Sequence, residues 1–168
     1  MNSTEATLIR PFESKDLEGF HSALDTVARE RRYLTLLQAP PIEECRLFVE
    51  ALLENNSPQF VALSHDKVVG WCDIKRLPFQ THAHRGGLGM GILASHRGKG
   101  IGLRLIQAAI AKAKQVGIKR IELGVHADNI PALSLYEKVG FVVEGTARDA
   151  VCIDGEYIDV INMALVDR

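Results

Sequence analysis

The stretch Gly91-Ile-Leu-Ala-Ser-His-Arg97-Gly98-Lys99-Gly100-Ile101-Gly102 constrains this chain more than any other. An apolar, strand-like run passes into a basic turn with glycine at alternate positions, and the turn opens into an amphipathic helix. Glycine lets the backbone approach a ligand closely. The first amides of a helix have no partner within it, and the positive end of its dipole lies there. A strand, turn and helix joined in this way form a cradle for phosphate groups. Two better-known phosphate loops do not fit. The pattern G-x-x-x-x-G-K-[ST] is absent, and Gly98, Gly100 and Gly102 are not spaced as G-x-G-x-x-G. A purely structural glycine turn is the remaining alternative.

The periodicity around this turn predicts the rest. Ala6–Arg10 reads as a strand stopped by Pro11. A helix capped at Ser14 or Asp16 is expected to run to about Arg32, with Leu17, Phe20, Leu24 and Val27 on one face. A second helix spans Ile42–Glu54, with Leu47, Ala51 and Leu52 inward. Phe60–Ser64 and Lys67–Ile74 are strands around a hairpin turn at His65-Asp66. Leu77–Gly87 is a loop, and Leu88–Ala94 is the strand that feeds the turn. A helix over Gly98–Val116 carries Leu103, Ile106, Ile110 and Ala113 as its stripe. Arg120–His126 alternates as a strand. Asn129-Ile130-Pro131 starts a helix that ends at Gly140. Two last strands, Phe141–Val151 and Tyr157–Val166, flank Asp154-Gly155. The order β-α-α-β-β-β-α-β-α-β-β predicts an α/β fold with a central mixed sheet flanked by helices, parallel beside the glycine turn and antiparallel elsewhere. No repeat or linker divides residues 1–168, which suit one domain.

A net charge of -1 provides no electrostatic reason to expect nucleic acid or an anionic membrane as partner. Cys45, Cys72 and Cys152 are odd in number and widely spaced, so neither a disulfide framework nor a metal site is expected. Met1–Thr7 lacks an apolar secretory core, and no apolar run approaches the ~20 residues that span a bilayer. These features together predict a cytoplasmic protein.

The strand–turn–helix, a further strand, and then Asn129-x-x-Ala132-x-x-x-Tyr136-x-x-x-Gly140-Phe141 resemble the GCN5-related N-acetyltransferase (GNAT) superfamily. The resemblance is continuous from Leu88 to Val166. Residues 6–76 match only in the order and type of their elements. The stretches Arg120-Ile-Glu-Leu, Asp128-Asn129, Val143-Glu-Gly-Thr146 and Asp154-Gly-Glu-Tyr157 look most like the bacterial subgroup that acetylates free amino acids. The resemblance implies the acyltransferase fold, acetyl-coenzyme A as co-substrate, no metal, and often a homodimer.

The family's roles carry over residue by residue. The amides of Arg97, Gly98, Lys99, Gly100, Ile101 and Gly102 are implied to hold the coenzyme pyrophosphate, and Met90, Gly91 and Ile92 to pair with the pantetheine arm. Asn129 is implied to touch the coenzyme near its acetyl end, a role compatible with capping a helix. Tyr136 resembles the general acid that protonates the departing thiolate. A phenol's reference pKa of about 10 suits that task. Its alternative is an aromatic packed on Phe141.

The base is less plain. The family's glutamate position reads Gly124 here. Glu122 and His126 share its face and are the candidates, although both also read as ordinary strand residues. An amine that arrives neutral needs no dedicated base. Arg31 or Arg32 is a candidate clamp for a substrate carboxylate, or else part of a solvated helix end. Trp71 and His84 are candidates for the acceptor pocket, with a core position the alternative for Trp71. The expected activity is transfer of the acetyl group of acetyl-coenzyme A to the primary amine of a small molecule, a free amino acid or related amine. The alternatives are a protein N-terminus or lysine as acceptor, or a non-catalytic coenzyme-binding sensor.

Overall fold

The computed structural model describes residues 6–168, so the part of the predicted polar N-terminus before Ala6 lies outside the described residues. The chain runs β1 (Leu8–Pro11), α1 (Leu17–Ala28), α2 (Ile42–Glu54), β2 (Gln59–Ser64), β3 (Lys67–Arg76), β4 (Arg85–Ile92), α3 (Ile101–Gln115), β5 (Arg120–His126), α4 (Ile130–Val139), β6 (Val142–Ile153) and β7 (Glu156–Val166). Short 3-10 turns lie at Ser14–Asp16, Gln80–His82 and Ala94–His96. The strands form one mixed sheet, as the alternation of elements predicts, and their order in it is β1-β2-β3-β4-β5-β7-β6. Both predicted hairpin turns form. His65 and Asp66 take φ of 48° and 62°, and Asp154 and Gly155 take 52° and 81°, the left-handed geometry that a two-residue hairpin needs.

One junction positions everything that follows. β4 and β5 are parallel and pair only at Arg85–Gly87 with Arg120–Glu122. Beyond that, β4 stays with β3 through Gly70↔Ile92, and β5 stays with β7 through His126↔Val160. The two strands therefore part, and among the described residues the edge of β4 from Leu88 to Ile92 has no partner strand.

Alternation sorts the side chains between two faces. On one face, α3 packs over the sheet with Leu105, Ile106, Ala109 and Ala113 against Cys72, Ile74, Leu123 and Met163. On the other, α1 and α2 bring Phe20, Val27, Cys45 and Val49 against Val61 and Trp71. Leu88, Met90 and Ile92 turn toward the α3 face. Gly87, Gly89 and Gly91 therefore leave the opposite face of β4 bare.

Several expectations shift. The helix expected from Gly98 begins at Ile101, because Gly98 and Gly100 adopt φ of +71° and +77°, outside the helical region. Its deepest residues include Leu105 and Ala109, while Leu103 and Ile110 are half-buried: a helix on a sheet buries a broader stripe than one heptad line. In α2 the buried side is Cys45, Val49 and Leu52, and Leu47 and Ala51 are exposed. The cysteine completes a helical stripe that a search for leucines overlooks. α1 stops at Ala28 instead of Arg32, and Arg31 takes φ of 55°.

Leu105 is fully buried between α3 and the sheet. Leu105→Ala is expected to lower the free energy of unfolding by about 3 kcal/mol, read from urea denaturation. A loss under about 1 kcal/mol would mean that α3 is not packed as described.

Candidate active site

The glycine turn is built to leave its amides free. Gly100 ends in the left-handed region at the N-terminus of α3, and no side chain caps the helix. The first backbone bond of that turn is Arg104 N–H to the Gly100 carbonyl, at 3.2 Å. The amides of Ile101, Gly102 and Leu103 before it point outward. A Cβ on Gly98 or Gly100 would meet nothing within 4 Å, so it is the φ values and not crowding that call for glycine.

Arg97 fixes the turn to its surroundings. Its Nε donates to the Ile92 carbonyl at 2.9 Å, and its two terminal nitrogens bind Glu30 at 2.9 and 2.7 Å. The guanidinium also lies 4.7 Å from the Tyr33 ring centre. Glu30 and Tyr33 follow α1, so one side chain ties the turn to the segment between α1 and α2. The sequence does not single out this tie.

The unpaired edge of β4 and the turn border one cleft of about 580 Å³. Met90, Gly91, Ile92, Arg97, Gly98, Gly100, Ile101, Gly102 and Asn129 all line it, together with Tyr136. Lys99 does not; it is exposed and borders a separate groove beside Arg104. Asn129 caps α4, its side-chain oxygen accepting from Ala132 N–H at 3.3 Å. Tyr136 is 8% exposed and packs against Phe141 at 5.7 Å between ring centres. Its hydroxyl makes no hydrogen bond among the described residues. Burial, aided by the neighbouring Cys72, pushes the phenol pKa up, so the group stays protonated at neutral pH.

On the opposite face of the sheet a second cavity of about 450 Å³ is lined by Arg85, Gly87, Arg120, Glu122, Gly124 and Asn162 among others. It shares Leu88, Leu123 and Gly124 with the first, so the two meet where β4 and β5 part. Glu122 lines this second cavity, held by Arg85 at 2.7 Å and by Arg120. Burial works against its charge, but these guanidiniums outweigh it and hold the carboxyl below its ordinary range. A carboxylate so held is a weak proton acceptor.

Asp73 on β3 is the contrasting case. It is 7% exposed and makes no hydrogen bond or ion pair among the described residues. Burial pushes its pKa up to about 7, with Lys75 pulling weakly the other way. Sequence reasoning missed it, although an aspartate inside the apolar run Val68–Ile74 was a usable signal.

The N-acetyltransferase profile "Acetyltransferase (GNAT) family" matches residues 22–141. The chain belongs to the GNAT family. The L-amino acid N-acetyltransferase AaaT of Escherichia coli K12 is 29% identical to this GNAT chain over 163 residues, spanning 95% of this chain and 97% of that protein. A solved GNAT-family acetyltransferase from Streptococcus pneumoniae superposes with a TM-score of 0.89 at 29% identity, covering 96% of this chain and 99% of that one. A Salmonella typhimurium acetyltransferase, yncA, solved with acetyl-CoA, shares the fold at TM-score 0.90 and 18% identity, covering 96% and 94%.

The protein is thus an acetyl-CoA-dependent N-acetyltransferase of GNAT type. Its residues fit that co-substrate. Open amides at an uncapped helix start suit a pyrophosphate, and an unpaired strand edge beside the cleft suits an amide-bearing arm.

The remaining sequence candidates disperse. Arg31 is exposed and paired with Asp154 at 2.7 Å, joining the segment after α1 to the β6–β7 turn. Arg32 offers its carbonyl to His126, whose Nδ1 donates across 2.8 Å. His126 is 4% exposed, so it anchors this GNAT loop from within. Trp71 lies edge-on to Phe20 and fills the space behind Gly91, where a Cβ would stand 2.3 Å from its ring. His84 is exposed at the start of β4, its carbonyl receiving the amides of Lys119 and Arg120, and it borders neither cavity of the GNAT site.

Gly100→Val strains the turn out of its left-handed conformation, by about 1–2 kcal/mol for the backbone alone. It is expected to weaken acetyl-CoA binding at least about tenfold in calorimetry. An unchanged Kd would show that these amides do not hold the ligand. The acid side gives a second test. The folded pKa of Glu122 lies below its ordinary value of 4.5, so its stabilisation is present above that pH and is lost as pH falls through the folded pKa. Glu122→Gln is expected to cost roughly 2 kcal/mol at pH 7. The difference from the wild type should shrink as pH drops below about 4.5, read from denaturation at a series of pH values.

Proposed function

We propose that this protein acetylates the primary amine of a free amino acid or a related small amine, with Tyr136 protonating the departing thiolate. The observation that carries this is the position of Tyr136 on the wall of the cleft, buried, protonated and without a hydrogen-bond partner among the described residues. A phenol in that state still carries its proton when the carbon–sulfur bond breaks. The leaving thiolate develops its charge where water is scarce, so a donor held beside it stabilises that charge as it forms.

The co-substrate supplies an activated acyl group as a thioester. The residues of the chain do the rest. The amides from Gly98 to Leu103 bind its phosphates, and the edge of β4 from Leu88 to Ile92 orients its arm. The acceptor nitrogen forms a bond to the thioester carbon, the carbon–sulfur bond breaks, and Tyr136 gives its proton to sulfur. Tyr136 regains a proton from the acceptor nitrogen through solvent.

A small acceptor is supported by what encloses the site. The pair Arg31–Asp154 ties the segment after α1 to the β6–β7 turn, and Glu30–Arg97 ties it to the cradle. The start of this segment is thereby pinned between the turn and the β6–β7 hairpin, which limits the room for an extended peptide. The likeness to a relative named for L-amino acids favours the same class.

The test is thiol release from acetyl-CoA against free amino acids, polyamines and short peptides. Acetylation of one or a few amino acids or small amines is expected; activity on peptides alone would overturn the acceptor class. With the best acceptor, Tyr136→Phe is expected to lower kcat about 100-fold with little change in the KM for acetyl-CoA. An unchanged kcat, or a change confined to KM, would remove Tyr136 from the acid's role.

A further inference from the structure

Asp73 and Glu122 both lie on the face of the sheet away from α3, and their surroundings push them apart. Glu122 is neutralised by two arginines. Asp73 is not. Such a divided pair is how acid and base roles are separated at one site.

The bare stripe on β4 explains where the Asp73 carboxylate goes. Asp73 and Gly89 are register partners on adjacent strands. A Cβ on Gly89 would stand 3.6 and 3.8 Å from the two carboxylate oxygens, so the carboxylate leans over the glycine. Gly89 itself lines the cleft. It sits two residues from Gly87, where β4 and β5 still touch, and therefore near the closed end of the gap. A molecule anchored at the cradle and laid along β4 points its far end there. Tyr136 approaches from the α3 and α4 side, so the acceptor must come from the other face. That is the face of Gly87, Gly89, Gly124 and the second cavity.

We infer that Asp73 is the general base of the reaction, taking a proton from the acceptor ammonium, directly or through one water, across the gap left by Gly89. This rests on the proposed small-amine activity. The proton passes from the ammonium nitrogen to a carboxylate oxygen, which frees the nitrogen lone pair for attack, and Asp73 then releases it to solvent. Gln59, the register partner of Asp73 on β2, is buried with its Oε1 unpaired among the described residues. Directly opposite positions bring side chains within reach, so protonated Asp73 has an acceptor at hand.

Few other charges face this carboxylate. Lys75 lies on its own strand and extends over the Phe48 ring. Gly89 carries no side chain, and Gln59 is neutral. α1 and α2 bring Phe20, Val27, Val49 and the Cys45 thiol, which burial keeps protonated.

The experiment is the pH dependence of kcat/KM for the best acceptor, with Asp73→Asn beside the wild type. Wild-type activity is expected to fall below about pH 7, close to tenfold per pH unit. Asp73→Asn is expected to lose about 100-fold at pH 7, to keep acetyl-CoA binding within about threefold, and to recover as pH rises until the acceptor amine is itself neutral. Thermal melting supplies a readout independent of acceptor. A carboxylate raised above its unfolded pKa destabilises the fold as pH rises from about 4 to 7, so Asp73→Asn is expected to melt higher than the wild type at pH 8. A uniform loss at every pH, a wild-type profile in Asp73→Asn, or a lower melting temperature at pH 8 would overturn the assignment. Acetylation of small amines with any of these results sinks Asp73 alone. A panel without an acetylated amine sinks the proposed function, and this assignment with it.

Discussion

The parting of β4 from β5 after three residue pairs is the constraint on which the site depends. A strand normally spends its backbone groups on two neighbours. Here β4 has one neighbour along Leu88–Ile92, and the freed edge faces a cleft instead of solvent. The separation is sustained because each strand keeps a long antiparallel partner on its far side, β3 for one and β7 for the other. The uncapped start of α3 then lies at the wide end of the opening. Two sets of unsatisfied backbone groups converge on one cavity, and a ligand with a phosphate at one end and amides along its length satisfies both.

The second feature of the site is subtraction. Four glycines, at positions 87, 89, 91 and 124, remove side chains from one face where the two strands diverge. At Gly87 the space stays open, and at the other three a neighbour takes it up. Trp71 occupies the space at Gly91, the Asp73 carboxylate leans over Gly89, and Val160 closes on Gly124. The face is thereby kept thin at the gap between β4 and β5. Tyr136 and Asp73 stand on opposite faces of the sheet there, and burial raises the pKa of both.

The sequence made the local features legible. The glycine turn, the two hairpin turns and the Asn129 cap each depend on a few adjacent residues, and each forms where the residues indicate. The Asn129-to-Phe141 pattern placed Tyr136 on the correct helix. Contacts between distant segments were not legible. Glu30 reaches Arg97 across 67 positions and Arg31 reaches Asp154 across 123, so charge spacing along the chain says nothing of either. Glu122 looked available as a base because its arginine partner on β4, Arg85, is known only once the parallel register is known. Along the chain Asp73 is one acidic residue among many. Its isolation emerges only when the two faces are assigned and no partner is found on its side. The stripe of α2 was misplaced for a simpler reason: a buried cysteine serves as an apolar residue there.

Arg97 gives the two halves of the site a shared component. Its guanidinium is divided among the carbonyl of Ile92, the carboxylate of Glu30 and the ring of Tyr33. A phosphate drawn close to that cation competes with Glu30 for it, and the segment that Glu30 anchors borders the acceptor side. A ligand that draws the cation away loosens that segment, and any second ligand that needs the segment in place would be coupled to the first equally in both directions, as linkage demands.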